Sequence, residues 1–218
     1  MTAISLKNKA LLILERLMST YPNAHIELDY NPKDPWQLLV VVALSAQTTD
    51  KKVNQISPAL FERFKSVHDF AHASPQEVEP YLKTIGLYRN KARHLVLAAQ
   101  KIIQDFNGHI PKERIKLESI PGVGKKTAAV IISNAFGEPA IAVDTHVSRL
   151  AQRLGLTKEI QPDKIELALT KLFPKNFWLK AHHALIFHGR RICFARKPHC
   201  SLCPLADLCP KIGVVQSN

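Results

Sequence analysis

The chain has 218 residues, of which 46% are hydrophobic and 22% are charged, so it can bury a core and is not a disordered polypeptide. Its longest apolar run, from Leu38 to Leu44, is far shorter than the roughly 20 residues that cross a bilayer, which excludes a membrane span. A net charge of +12 favours a polyanionic partner, nucleic acid first and an anionic membrane second.

The amino-terminal segment, Met1 to Thr20, does not have the pattern of a secretory signal. Its apolar cluster at residues 10–14 ends in Glu15 and Arg16, and no small-residue cleavage site follows. The segment also lacks the arginine- and serine-rich, acid-poor composition of an organelle transit peptide. We therefore expect a cytoplasmic protein whose four cysteines are reduced rather than paired in disulfides.

The first half of the chain predicts four helices. Apolar residues at helical spacing indicate an amphipathic helix from Leu6 to Met18. Residues 36–46 are apolar almost throughout and fit a buried helix or a core strand, although eleven residues favour a helix. Ser74-Pro75-Gln76-Glu77 predicts a helix start with a capping box, and that helix should end near Gly86. A further helix closes at Gly108 after the apolar stripe Ala92, Leu95, Ala99, Ile102, Ile103 and Phe106.

The second half is also predicted to be helical. One pattern reaches Ile120 and another begins at Ala128, with a Pro-Gly-Val-Gly turn between them. The stretch after Ala128 and the stretch at residues 140–143 could each be a strand, but we favour a helix for the first and an extended linker for the second. Three more helices are predicted at residues 145–154, 163–172 and 177–192.

All four cysteines fall within seventeen positions, at Cys193, Cys200, Cys203 and Cys209. Four thiolates in one short loop can bind a tetrahedral zinc ion or a cubane iron–sulfur cluster. Zinc usually lies between two Cys-x2-Cys pairs, and this loop has one. Spacings of six, two and five residues suit a loop wrapped around something larger than one ion. The spacing therefore favours an iron–sulfur cluster over zinc, and favours four free thiols least.

The turn at residues 121–124 is a candidate phosphate site. Gly122 and Gly124 allow the backbone to approach a ligand closely, and the N–H groups that open the next helix can bind an anion such as a DNA phosphate. Such a contact holds the DNA backbone without reading its sequence. An ordinary tight turn is the alternative, but Lys125 and Lys126 follow directly and favour phosphate binding.

Two single residues, Lys126 and Asp144, are further candidates. Lys126 is either one more lysine that neutralises phosphate or an amine nucleophile, because Lys125 and the helix N-terminus both disfavour its ammonium form. Asp144, in the stretch Val143-Asp144-Thr145-His146, fits a helix N-cap first of all.

Several of these segments occur together in one known order. Leu44-Ser45-Ala46-Gln47-Thr48-Thr49-Asp50, the hairpin with Lys126, residues 143–146 and the four-cysteine loop resemble the bacterial endonuclease III family. Residues 85–88 and 182–190 add to this similarity. Lys126 and Asp144 keep the family separation of eighteen residues, and the resemblance covers roughly residues 19–209.

The resemblance implies a bifunctional DNA glycosylase and abasic-site lyase that removes oxidised pyrimidines such as thymine glycol in base excision repair. The implied fold is all-α, with two helical lobes flanking a DNA-binding cleft. Residues 28–138 would form a six-helix lobe with a helix-hairpin-helix motif at about 113–136. Residues 1–27 and 139–218 would form a lobe that carries a [4Fe-4S] cluster on the four cysteines, with the cluster loop at 193–209. A monomeric, nucleoid-associated bacterial protein is expected, with damaged or abasic double-stranded DNA as its partner.

The resemblance also assigns catalytic roles. Lys126 would be the nucleophile at the mouth of the cleft, and Asp144, on the other lobe, would stabilise the cationic sugar and help to deprotonate the lysine. The amine attacks the sugar C1′ and the base leaves, which forms an iminium ion. The iminium acidifies the C2′ proton, and β-elimination then breaks the strand 3′ to the lesion.

Further residues would hold the DNA. The damaged nucleotide must be extruded at a cost of roughly a few kcal/mol. Gln47 would fill the vacated space, and Leu87 would act as a wedge in the opposite strand. By similarity, Arg196 and Lys197, inside the first cysteine loop, would contact DNA phosphates alongside the hairpin.

Other functions stay open at this stage. Adenine- or thymine-mismatch glycosylases of the same superfamily act on one step only, but they lack the lysine at the position of Lys126. Adenine-specific members usually carry a further C-terminal domain, for which the nine residues after Cys209 leave no room. An alkyl-base glycosylase of the same fold and a non-catalytic iron–sulfur or zinc DNA-binding module are further alternatives. The binding module gives no reason for Lys126 and Asp144 to occur at the family spacing.

Overall fold

The computed structural model describes residues 4–218, so the first three residues of the amino-terminal segment lie outside the described residues. Every regular element in the described range is a helix, which confirms the all-α prediction. The chain divides into two compact units, one made of Met1–Ile26 with Pro139–Asn218 and the other of Glu27–Glu138. Within residues 4–218, no helix is long and apolar enough to cross a bilayer.

Eleven α-helices and two short 3-10 turns occur in the described part of the chain. The helices are α1 Leu6–Thr20, α2 Pro35–Leu44, α3 Asp50–Arg63, α4 Val67–His72, α5 Pro75–Leu82, α6 Tyr88–Phe106, α7 Arg114–Glu118, α8 Lys125–Ala135, α9 Thr145–Arg153, α10 Pro162–Leu172 and α11 Trp178–Arg191. The predicted helices α1, α9, α10 and α11 are confirmed to within two residues at each end.

The unit Glu27–Glu138 contains the seven helices α2 to α8, whereas the resemblance implies six. The difference arises from short helices, since α4 has six residues and α7 has five. The apolar stretch from Trp36 is the helix α2, which packs against α3, α6 and α8 and is therefore buried on almost every side. This burial on all sides explains why its sequence has no amphipathic period.

Two helices of this unit are absent from the sequence-based prediction. Helix α3 buries only Val53, Ser57 and Leu60 and contains Pro58, so it presents a weak and interrupted apolar stripe. Helix α4 is too short to show a period. The capping box of Ser74 and Glu77 is confirmed, but α5 ends at Leu82, four residues before Gly86.

The other unit has a core formed by α1, α9, α10 and α11, into which Leu205 of the cysteine loop also packs. Gly189 allows α11 to approach α9 closely, because a Cβ there would lie 3.0 Å from the Cβ of His146. Residues 140–143 belong to no helix or strand, as expected for a linker, and all four are buried. The chain thus enters α9 directly from a buried segment, which fixes the position of Asp144 at the start of that helix.

One buried histidine of this unit predicts acid sensitivity. His183 in α11 has a pKa lowered to about 3 by burial and by its neighbours His182 and His25. The unfolded chain binds the proton near the ordinary pKa of 6.5, so the unfolded state gains protons first as the pH falls. The free energy of unfolding should therefore decrease below pH 6.5, by roughly 1.4 kcal/mol per pH unit from this group.

Urea unfolding between pH 7 and pH 5, followed by circular dichroism, measures this decrease. We expect His183→Gln to lose less stability over that range than the unchanged protein does. His72→Gln, which removes an exposed histidine of α4, is the control and should lose as much as the unchanged protein. Equal losses in all three proteins would show that His183 is not the responsible group.

Candidate active site and cysteine loop

The hairpin between α7 and α8 turns on two glycines with different roles. Gly122 has φ +82°, in the left-handed region that favours glycine, and a Cβ there would lie 3.1 Å from the Cβ of His94 on α6. Gly124 is the N-cap of α8, and a Cβ there would meet nothing within 4 Å. Gly122 therefore lets the hairpin pack against α6, while Gly124 leaves the N-terminus of α8 open to a ligand.

Lys125 and Lys126 are the first two residues of α8, and both are exposed. In this part of the described chain, no side chain caps the helix, since glycine at the N-cap has none to offer. Two cations therefore coincide with the positive end of an eleven-residue helix and its first N–H groups. This arrangement suits a DNA phosphate and places the Lys126 amine beside it.

Gln47 and Leu87 are far apart in sequence but line the same cavity, of about 230 Å³, together with Gly122. Both have a positive φ, 55° for Gln47 and 57° for Leu87, which is uncommon for residues with a Cβ. The side chain of Leu87 is 59% exposed, although it is a large aliphatic group. Strained and exposed residues of this kind are typical of functional positions.

Asp144 is the N-cap of α9, as the capping interpretation predicted. Its Oδ1 accepts hydrogen bonds from the backbone N–H groups of His146 and Val147, both at 2.8 Å. Within residues 4–218, the other oxygen, Oδ2, accepts no hydrogen bond. Burial lowers the pKa of His146; Asp144 opposes this shift, and Arg149 and Arg190 add to it, so the net effect favours the neutral imidazole. One carboxylate oxygen therefore caps the helix, and the other can face a cation.

The four cysteines are half-buried and line one cavity at the end of α11. Apolar side chains form much of its wall, namely Leu150, Leu154, Ile192, Pro198 and Val214. Among residues 4–218, no three or more His, Cys, Asp or Glu side chains are placed to hold a single metal ion. Four thiols around one cavity are a donor set that can hold an iron–sulfur cluster.

Hydrogen-bond donors surround the sulfur atoms. The guanidinium of Arg153 donates to the Sγ of Cys193, and the backbone N–H of Lys211 donates to the Sγ of Cys209, each at 3.4 Å. Such donors stabilise cluster thiolates. Burial raises the pKa of the thiols of Cys203 and Cys209 and so favours their protonated form. The positive charge of iron would oppose this effect and hold them as thiolates. The donor set and its surroundings therefore fit an iron–sulfur cluster.

Two arginines that the sequence analysis did not single out hold the start of this loop. Arg149 Nη2 donates to the carbonyl oxygens of Gly189 and Cys193, both at 2.9 Å. Arg153 Nη1 and Nη2 donate to the carbonyl oxygens of Phe194 at 2.6 Å and of Ala195 at 2.8 Å. The two arginines lie four residues apart on α9, on the side of the helix that also carries Thr145. That spacing is the signal that could have identified them.

Arg196 and Lys197 follow directly after the segment that these arginines hold. Both are exposed, and Lys197 has φ +46°. Their cationic side chains are thus carried by a tethered loop in the same unit as Asp144. Lys126, Gln47, Leu87 and the hairpin glycines belong to the other unit.

The chain matches known proteins along almost its whole length. Residues 40–175 match the HhH-GPD superfamily base excision DNA repair protein, and residues 193–209 match the iron-sulfur binding domain of endonuclease III. The endonuclease III of Synechocystis sp. is 46% identical, with 94% of each chain covered. A trapped covalent intermediate of endonuclease III with DNA has a TM-score of 0.91 at 41% identity, covering 96% of this chain and 97% of that one. A thermostable thymine-DNA glycosylase has a TM-score of 0.82 at 26% identity, covering 93% and 96%.

These similarities decide between the alternatives for the cysteine loop. The matched iron–sulfur domain spans residues 193–209, which begin and end at the first and last cysteines, so the loop holds a cluster and not zinc. The relatives are DNA-repair enzymes, which excludes a non-catalytic binding module. The chain belongs to the endonuclease III family and is a DNA glycosylase and abasic-site lyase of base excision repair that carries a [4Fe-4S] cluster.

Proposed function

We propose that the chain removes oxidised pyrimidines, including thymine glycol, from double-stranded DNA and then cleaves the strand at the abasic site, acting as a monomer. The observation that carries the proposal is Lys126, an exposed amine on the first turn of α8, directly after the open Gly124. A glycosylase without lyase activity needs only a water nucleophile, whereas a lyase needs an amine. Because the substrate is chromosomal DNA, we also propose a cytoplasmic, nucleoid-associated location.

Lys126 forms the covalent bond in the proposed mechanism. Its neutral amine attacks C1′, and the damaged base leaves with the electron pair of the glycosidic bond and takes up a proton. The sugar ring then opens, because O4′ leaves C1′ with the bonding electron pair and takes up a proton, and an iminium ion forms between Nζ and C1′. Loss of the C2′ proton then expels the 3′ phosphate, and hydrolysis of the remaining imine releases the enzyme.

Asp144 supplies negative charge where the sugar becomes cationic. The cap on α9 holds the carboxylate through Oδ1, so its position is fixed before the DNA binds. A preorganised charge of this kind stabilises a transition state without reorganisation. The same carboxylate can accept a proton from the lysine ammonium, which produces the neutral amine.

The remaining residues extrude the nucleotide and hold the duplex. Gln47 can pair with the base that loses its partner, and Leu87 can separate two stacked bases. Gly122, Gly124 and Lys125 bind one phosphate through the hairpin, and Arg196 and Lys197 bind others. Cys193, Cys200, Cys203 and Cys209 would hold the cluster, which would cross-link the loop and supply no reacting atom. Arg149 and Arg153 hold the same loop from α9, so the two basic residues are presented on a rigid support.

Borohydride trapping tests the proposed substrate and the amine chemistry together. Reduction of the iminium ion leaves the enzyme covalently bound to the DNA. We expect an adduct with a duplex that carries one thymine glycol and with a duplex that carries one abasic site. We expect none with an undamaged duplex or with a duplex that has one thymine–guanine mismatch.

Each alternative gives a different result in the same experiment. Release of thymine from the mismatch without an adduct would indicate a monofunctional mismatch glycosylase. An adduct with the abasic duplex but not with the thymine glycol duplex would support the lyase activity and refute thymine glycol as a substrate. Alkylated bases would then be the next candidate substrates.

A further inference from the structure

Lys91, the fourth residue of α6, is a buried lysine that the proposed chemistry does not use. It is 8% exposed. Its Nζ donates to the carbonyl oxygen of Leu44 at 2.9 Å and to the Oγ1 of Thr48 at 2.8 Å. Both acceptors are uncharged, and burial lowers the pKa of Lys91 from its ordinary value. Lysine is rarely buried unless its ammonium is paired, so this arrangement calls for a physical reason.

The first acceptor completes the C-terminus of α2. The last four carbonyls of a helix have no partner inside the helix. Here the carbonyl oxygens of residues 41–43 accept hydrogen bonds from Ser45 and Ala46 of the following turn. The carbonyl oxygen of Leu44 is the fourth, and it accepts from Lys91. A cation at this position also interacts favourably with the negative end of the helix dipole. Lys91 therefore caps α2 from another helix.

The two acceptors lie on either side of Gln47. Leu44 comes three residues before Gln47, and Thr48 comes directly after it. Gln47 has φ +55°, a conformation that is sterically unfavourable for a residue with a Cβ. Such a conformation persists when the surrounding contacts over-determine it. The ammonium of Lys91 supplies contacts at both ends of this short turn.

The backbone of Lys91 also contacts the second strained residue. Its N–H donates to the carbonyl oxygen of Leu87 at 3.0 Å, which is the first hydrogen bond of α6. Leu87 is the N-cap of this helix and has φ +57°. Lys91 thus bonds through its side chain to the turn that carries Gln47 and through its backbone to Leu87. Gln47, Leu87 and Lys91 all line the same cavity.

We propose that Lys91 is a positioning residue that locks the Gln47 turn to the start of α6, so that Gln47 and Leu87 meet the DNA at one fixed separation. The inference rests on the roles proposed for Gln47 and Leu87 above. Lys91 acts through these residues and is not a catalytic residue. Its effect must therefore depend on the presence of the Gln47 side chain.

A double-mutant cycle measures that dependence. Lys91→Met keeps an unbranched side chain of similar bulk and removes the donors. Lys101→Met removes one lysine from the same helix, where Lys101 pairs with Asp105 near the surface, and so controls for the loss of charge. Each change is made in the holoenzyme with Gln47 and with Gln47→Ala. The readout is single-turnover nicking of a duplex with one abasic site, which does not depend on the damaged base that the enzyme prefers.

A second readout follows the DNA directly. A 2-aminopurine opposite the abasic site becomes more fluorescent when it is unstacked, so its signal reports insertion of Gln47 and Leu87. We expect Lys91→Met to slow nicking by about ten- to a hundredfold and to reduce the fluorescence change, since a displacement of about 1 Å can have an effect of that size. In the Gln47→Ala protein, the same change should slow nicking by less than about threefold.

Four results would overturn the inference. If Gln47→Ala alone nicks at the normal rate, the role proposed for Gln47 fails and the inference fails with it. If Gln47→Ala is slow but Lys91→Met is normal, only the inference on Lys91 fails. If Lys91→Met slows nicking by the same factor with Gln47 and with Gln47→Ala, Lys91 has only a structural effect. If Lys91→Met slows nicking no more than Lys101→Met does, the effect is only that of losing one positive charge.

Thr48→Val tests the same contact if Lys91→Met does not fold. Valine has nearly the shape of threonine and removes only the hydroxyl that accepts from Lys91. We expect a smaller decrease in rate, of about three- to tenfold, that is again lost in the Gln47→Ala protein. Iron content and the midpoint of thermal unfolding, measured for every variant, identify proteins that have lost the fold or the cluster.

Discussion

Replacing Lys126 with glutamine is expected to abolish strand nicking at abasic sites while the variant still binds the same duplex. The amide nitrogen of glutamine cannot attack C1′ or form an iminium ion, so the covalent path is closed. Loss of a nucleophile typically lowers the rate by several orders of magnitude, and we expect a decrease of at least about 10⁴-fold. Single-turnover nicking and borohydride trapping measure the loss, and fluorescence anisotropy with an abasic duplex measures binding.

Lys125→Gln is the matched control for this experiment. Lys125 and Lys126 occupy the same turn of α8, so each change removes one positive charge from the same helix end. We expect both variants to bind DNA more weakly by a similar factor, because each loses the favourable interaction of one lysine with phosphate. Only Lys125→Gln should still form the borohydride adduct at saturating enzyme. An adduct with Lys126→Gln would show that another amine of the protein is the nucleophile.

Local capping signals predicted two helix starts correctly, whereas the predicted end of α5 near Gly86 was wrong by four residues. Ser74 and Glu77 form the capping box that their spacing indicates, and Asp144 caps α9. In each case, the side chain and its backbone partner lie within three residues of one another, so a single stretch of sequence contains the whole interaction. The sequence did not predict helix α3, because only three of its residues are buried and they form no clear apolar stripe.

Contacts between distant residues were out of reach of the sequence. Nothing in the stretch around Lys91 shows that its ammonium bonds to Leu44 and Thr48, more than forty residues earlier. The same holds for Arg153 and the cysteine loop, which lie about forty residues apart. The motifs located Gln47 and Leu87, but their positive φ angles and common cavity required the fold. Sequence thus predicts the groups of the candidate site better than it predicts the contacts that hold them.

The second large effect is expected for Asp144→Asn. Asparagine keeps an Oδ1 that can accept from His146 and Val147, so the cap on α9 is preserved and only the charge is lost. We expect the release of thymine glycol to slow by about 10²- to 10³-fold, since removing one preorganised electrostatic group commonly has an effect of this size. The free energy of unfolding should change by less than about 1 kcal/mol. Single-turnover base release and urea unfolding measure the two quantities.

Asp34→Asn supplies a matched control, because Asp34 is the N-cap of α2 and its Oδ1 accepts from Trp36 and Gln37 in the same way. We expect this variant to release the base at the normal rate.

A comparison of Asp144→Asn with Asp144→Ala separates the two roles of the carboxylate. Both changes remove the charge, but only alanine also removes the cap, which should lower the free energy of unfolding by about a further 1 kcal/mol. If the charge stabilises the cationic sugar, the two variants should release the base equally slowly although their stabilities differ. If Asp144 acts only as a cap, base release should be near normal in Asp144→Asn and fall only in Asp144→Ala. The rates of these two variants therefore decide whether the negative charge of Asp144 takes part in the reaction.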